Sequence, residues 1–92
     1  MQQVFSAQAA DGASSLAKTI GSPRGANVFV SGNLGGGTIK VEAEAPDGSF
    51  IPLDGISITA AGVYIVDGAP RRLRLSLSGS TGPSVTAWIQ FR

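Results

Sequence analysis

The stretch from Gly37 to Gly62, GTIKVEAEAPDGSFIPLDGISITAAG, leaves the chain few folds to choose from. Ile39, Val41, Ala43 and Ala45 alternate with Lys40, Glu42 and Glu44. Successive side chains of a strand face opposite sides, so this period of two predicts a strand with one buried and one wet face. Pro46-Asp47-Gly48 then predicts a turn, because proline presets φ and glycine accepts a positive φ. A shorter strand is expected at Ser49 to Leu53, which makes the unit a hairpin or meander.

The same reading extends along the chain. Val4-Phe5 predicts a short first strand, and Ala7 to Ala10 an alanine-rich helical turn that Gly12 cuts off. Leu16 to Ile20 alternates, with Leu16, Lys18 and Ile20 on one side. Asn27 to Ser31 is β-branched and aromatic, with Val28 and Val30 facing together and Phe29 opposite. Strands are also expected at Ile56 to Ala60, Val63 to Val66, Arg72 to Ser78 and Val85 to Phe91. In the last two, Leu73, Leu75 and Leu77 oppose Arg72, Arg74 and Ser76, while Val85, Ala87, Ile89 and Phe91 oppose Thr86, Trp88 and Gln90. Turn clusters separate them at 21–25, 32–37, 61–62, 67–70 and 79–83. Seven or eight short strands at such spacing predict an all-β fold: a single small antiparallel β-sandwich, jelly-roll-like or Ig-like, or a small barrel. Ninety-two residues make one domain. Residues 16–92 are expected to form the sandwich and residues 1–15 a flexible N-terminal arm.

The sequence has no cysteine and no histidine. Disulfides and the usual zinc, haem and copper ligand sets are therefore excluded, as is a nucleophile–imidazole dyad. All four aspartates precede glycine (Asp11-Gly12, Asp47-Gly48, Asp54-Gly55, Asp67-Gly68), the dipeptide of turns. Glu42 and Glu44 share one strand face. They could mimic a glycosidase carboxylate pair, but cross-strand pairing with Arg72 or Arg74 is the simpler use. Gly35-Gly36-Gly37 lacks the following Lys-Ser/Thr and helix of a phosphate loop, so it reads as a turn. No Asp-rich loop suggests calcium. The expectation is a protein without catalysis, cofactor or metal.

Seven basic and six acidic residues leave a net charge of +1, which gives no electrostatic reason to expect nucleic acid or membrane as partner. The N-terminus lacks the basic and apolar regions of a signal peptide, and no apolar run would span a bilayer. A soluble protein made in the cytoplasm is expected. Charged residues are 14% of the chain, against roughly a quarter in an ordinary soluble domain. Either the surface is simply neutral, or neighbours in an assembly cover much of it. Trp88 should sit on the outer face of its strand, as an interface residue, a sugar-stacking platform, or a ring covered by another segment. The candidate interface residues are Val4, Phe5, Tyr64, Arg72, Arg74 and Trp88.

The run VFVSGNLGGGTIKVEAEAPDGSFIPLDGISITAAGVYIV resembles small β-sandwich structural proteins of tailed bacteriophages. The likeness rests on its Ser-Gly-x-Leu-Gly-Gly start, alternating strand, Pro-Asp-Gly-Ser-Phe turn and Ile-Thr-Ala-Ala-Gly step. It covers Val28 to about Val66, with Arg72 to Leu77 as a continuation. It implies a capsid decoration (cement) protein on the virion surface, made in the host cytoplasm, with the major capsid protein as partner. By analogy it also implies a homo-oligomer, with a trimer as the expected form. The alternatives are a small head-tail or tail component, or a carbohydrate-binding receptor-recognition module.

Overall fold

The computed structural model describes residues 1–21, 23–68 and 70–92. Among these residues nine strands follow one another: β1 (Gln2–Gln8), β2 (Gly12–Ala13), β3 (Ala17–Lys18), β4 (Gly25–Asn33), β5 (Thr38–Glu44), β6 (Phe50–Pro52), β7 (Gly62–Asp67), β8 (Arg72–Ser78) and β9 (Ser84–Phe91). They form two antiparallel sheets. The first has the order β1-β9-β4-β7; the second runs β2-β8-β5-β6, with β3 also on β8. The chain is a small β-sandwich, as the alternating pattern predicts.

The core lies where the two inner faces meet. Ala26, Val28 and Val30 of β4, Val85, Ala87 and Ile89 of β9 and Val66 of β7 come from the first sheet. Ile39 and Val41 of β5 and Leu73, Leu75 and Leu77 of β8 come from the second. Their alternate neighbours point outward, so the sequence period sets both the core and the two outer faces. The central hairpin forms as expected: Glu42, Ala43 and Glu44 pair with Pro52, Ile51 and Phe50 across the Pro46-Asp47-Gly48 turn. That turn is tied by the Asp47 carboxylate, which accepts from the Ser49 amide at 3.0 Å and from its hydroxyl at 2.6 Å.

The N-terminal segment departs from the flexible-arm expectation. Residues 2–8 are β1, paired along β9, and residues 12–13 pair with β8 in the opposite sheet. A register shift between Gln3 and Phe5 turns Val4 and Phe5 both inward, where they are 6% and 2% exposed. A bulge does this by placing two residues opposite one, which strict alternation cannot reveal. A second shift follows at Ala7, whose φ is +48°, and no helical turn forms over residues 7–10. The apolar mass of Phe5 closes the sandwich and outweighs the loop-like composition around it.

Two further expectations shift. The 16–20 segment keeps only Ala17 and Lys18 as strand, and its buried residue is Ala17, while Ile20 is fully exposed. The expected strand at 56–60 reduces to a single bridge, Ile39 to Ile58, which nevertheless buries Ile58 completely. Asp11 does not cap its own turn. Its carboxylate accepts from the Gly79 amide at 3.1 Å, from the Ser80 amide at 3.0 Å and from the Ser80 hydroxyl. It thus ties the β1–β2 connection to the β8–β9 turn. Near the end of β4, before the glycine-rich turn, Gly32 has φ +97° and a Cβ there would run into the Ser84 carbonyl. Neighbouring amides are already engaged: Gly35 N–H donates to Asn33 Oδ1 at 2.8 Å, and Gly37 N–H to the Leu34 carbonyl at 2.9 Å.

Candidate docking surface

The two outer faces differ in chemistry. The second sheet carries Lys18, Lys40, Glu42, Glu44, Arg72 and Arg74 on its strands, whereas the four strands of the first hold one charged residue, Asp67. On the charged face, Arg74 Nε donates to Glu42 Oε1 at 2.7 Å and Arg72 Nη1 to Glu44 Oε1 at 2.8 Å. These are cross-strand pairs of β5 and β8, with Glu42 directly opposite Arg74. The Arg74 guanidinium also lies 3.7 Å from the centre of the Phe50 ring, a cation–π stack. Arg72 and Arg74, also named as candidate interface residues, are thus held by carboxylates of their own sheet, the cross-strand pairing expected from the sequence.

An open depression of about 850 Å³ is lined by Lys18, Thr19, Ile20, Arg71 and Arg72. One of its cations, Arg72, is already paired with Glu44. Among the described residues no buried side-chain nitrogen or oxygen lacks a hydrogen-bond partner.

The outer face of the first sheet is neutral and aromatic. In the β1-β9-β4-β7 order, Gln3 stands opposite Trp88, Trp88 opposite Phe29, and Phe29 opposite Val63. One cross-strand row therefore reads Gln–Trp–Phe–Val. The adjoining row is Gln90, Asn27 and Ile65, and on the other side Thr86 faces Ser31. Trp88 and Phe29 are half-buried by their neighbours, but Val63 and Ile65 on β7 are 61% and 68% exposed. At this face's margin Arg92 and Asp67 compensate each other. Arg92 Nη2 lies 3.5 Å from Asp67 Oδ1, while its Nε donates to Asn27 Oδ1 at 2.9 Å. Together these residues give an apolar centre with an amide and hydroxyl rim, the composition of protein contact surfaces.

Of the expected interface residues, Trp88 lies on this face. Tyr64 faces the other way, packed against the core, with its hydroxyl donating to the Ala60 carbonyl at 2.7 Å. Val4 and Phe5 belong to the core and offer no surface, which corrects that expectation. Phe29, Val63 and Ile65 were not singled out. The opposition of Phe29 to Val28 and Val30 already placed it outward. Val63-Tyr64-Ile65-Val66 is apolar on both faces, so its orientation is invisible to hydropathy alone.

Comparison of the chain with protein-family models, with curated proteins and with solved structures finds no match in any of the three.

Proposed function

We propose that the protein is a non-enzymatic structural protein of a bacteriophage virion, a decoration protein that bridges and stabilises major capsid protein subunits as part of a symmetric homo-oligomer. The observation that carries this reading is the segregation of charge. One sheet face bears the cross-strand ion pairs, and the other presents Trp88, Phe29, Val63 and Ile65 on strands whose single charged residue, Asp67, lies beside Arg92. A face of that kind docks against protein without burying unpaired ions. The resemblance of residues 28–66 to small virion sandwiches supplies the virion setting.

The test is the composition of purified virions. A decoration protein is present in hundreds of copies per particle, a tail or neck component in few, and absence from the particle refutes the reading. Trp88→Thr should weaken binding to assembled shells by about 30-fold, the roughly 2 kcal/mol of an aromatic hot spot, while the variant stays folded. A glycan panel separates the carbohydrate reading: quenching of Trp88 fluorescence by a sugar, with no binding to assembled shells, would replace the capsid by a glycan.

A further inference from the structure

A two-sheet sandwich has sheet edges, and each exposed edge is a template for another strand. Three of the edges here are blunted in the ways natural proteins use. β1 carries two register shifts. β6 is three residues long and ends in Pro52. β2 and β3 are two residues each, and Lys18 sits on β3. β7 has none of these devices. It runs six residues in unbroken register with β4, from Gly25 opposite Asp67 to Val30 opposite Gly62, without proline or inward charge.

The pattern of the ladder shows which groups β7 leaves free. The Gly68 amide donates to the Arg24 carbonyl at 2.8 Å. In an antiparallel ladder the bonded pairs alternate, so Val66, Tyr64 and Gly62 bond toward β4. The N–H and C=O groups of Val63 and Ile65 consequently point outward, away from the sheet. The same two residues carry the exposed apolar side chains of the strand.

We propose that β7 pairs antiparallel with β7 of a second copy of this chain about a two-fold axis at Tyr64, joining two four-stranded sheets into one of eight. The strand is self-complementary about that point. Val63-Tyr64-Ile65 reads β-branched, aromatic, β-branched in both directions, so Val63 falls opposite Ile65 of the partner subunit on the same outer face. Cross-strand β-branched pairs are favourable partners. Both residues of each such pair have outward-pointing backbone groups, so each pair closes two hydrogen bonds. Charge favours a second copy over a foreign strand. The only ion of β7 is Asp67, three residues from the axis and already beside Arg92. It therefore neither meets its own image nor offers a handle to a charged partner. This inference does not rest on the capsid reading. It replaces the trimer implied by the resemblance with an isologous pair.

The test is light scattering on a sizing column with the full chain, together with hydrogen exchange of the Val63 and Ile65 amides. Wild type should run at twice the 9.3 kDa chain mass with both amides protected. Ile65→Lys, an outward substitution on an exposed site, should run at the single-chain mass and expose both amides while melting as a folded protein. Ile65→Pro removes one of the outward N–H groups and should do the same; if it fails to fold, the lysine variant decides alone. A wild-type monomer at every concentration would overturn the proposal and leave the edge to a strand of another protein. A trimer, or a dimer indifferent to Ile65→Lys, would overturn it as well.

Discussion

Replacing Phe5 by alanine separates a structural N-terminus from a flexible arm. Phe5 is 2% exposed and sits in the core with Val4, on the edge strand that β9 holds. Truncating a buried phenylalanine to alanine costs about 3–5 kcal/mol, the lost transfer energy plus the cavity left behind. A domain of this length has a total stability of roughly 5–14 kcal/mol, so the loss is a large fraction of it. At about 4–8 °C per kcal/mol for a domain of this size, the melting temperature should fall by roughly 12 °C or more. Ser6→Ala, on the exposed side of the same strand, should stay within about 0.5 kcal/mol of wild type. Urea titrations followed by circular dichroism and by Trp88 fluorescence measure both variants, and the two probes should coincide. A flexible arm predicts no change for either. A Phe5→Ala loss below about 1 kcal/mol, well under the range for a buried phenylalanine, would mean that β1 does not close the core.

Two further outcomes follow from the polar contacts. The Asp11 carboxyl is held below its ordinary value chiefly by the Ser80 hydroxyl and then by the Ser80 amide, against a smaller upward push from desolvation, with the Gly79 amide adding to the lowering. Because Ser80 is 69 residues away, these bonds exist only in the folded chain. A carboxyl depressed by folding contributes stability that is present above its unfolded value and lost as the pH falls through the folded one. Asp11→Asn should therefore be less stable than wild type at neutral pH, and the difference should shrink below about pH 4, as read by denaturant midpoints across pH. For the charged face, a double-mutant cycle on Glu42 and Arg74 should give a coupling of about 0.5–1 kcal/mol, and the more exposed Glu44–Arg72 pair less. Arg74→Lys should lose part of it through the Phe50 stack.

Much of the fold was legible because a half-buried strand writes its orientation in alternate residues. β5 and β8 carry apolar residues on one parity only, β9 breaks that rule only at Trp88, and the inward sets of all three follow the alternation. The arginine–glutamate pairs were legible for the same reason, since two strands of opposite parity and opposite charge fit together across a sheet. The misreadings have a common cause. At Val4-Phe5 a bulge breaks the period; at residues 16–20 the small Ala17, not Leu16 or Ile20, meets the core; and at β7 both faces are apolar. Periodicity carries no information in such places, and tertiary packing decides. The candidate surface was half legible: Trp88 declared itself, but its row-mates Phe29 and Val63 come from strands distant in sequence, and only the register brings them together.

The two surface features of the first sheet converge on one physical requirement. A row of Trp88, Phe29 and Val63 flanked by Ile65 is an apolar surface of the kind a free monomer keeps small, because it invites nonspecific association. The unblunted β7 edge is a hazard of the same sort. Both occur on the sheet whose strands hold a single charged residue, while the other three edges and the opposite face are protected by bulges, shortness, proline and paired ions. The protection is local, so the low charge of the chain is not a general property of its composition. It is concentrated where contact is expected: the edge suits a second copy and the face a larger neighbour. Substituting Val63 by lysine sits where the two features meet, at the end of the aromatic row and on the free edge. It should impair self-pairing and shell attachment together, whereas Trp88→Thr should impair attachment alone. If both variants remove both properties to the same degree, edge and face form one interface with no division of labour between them.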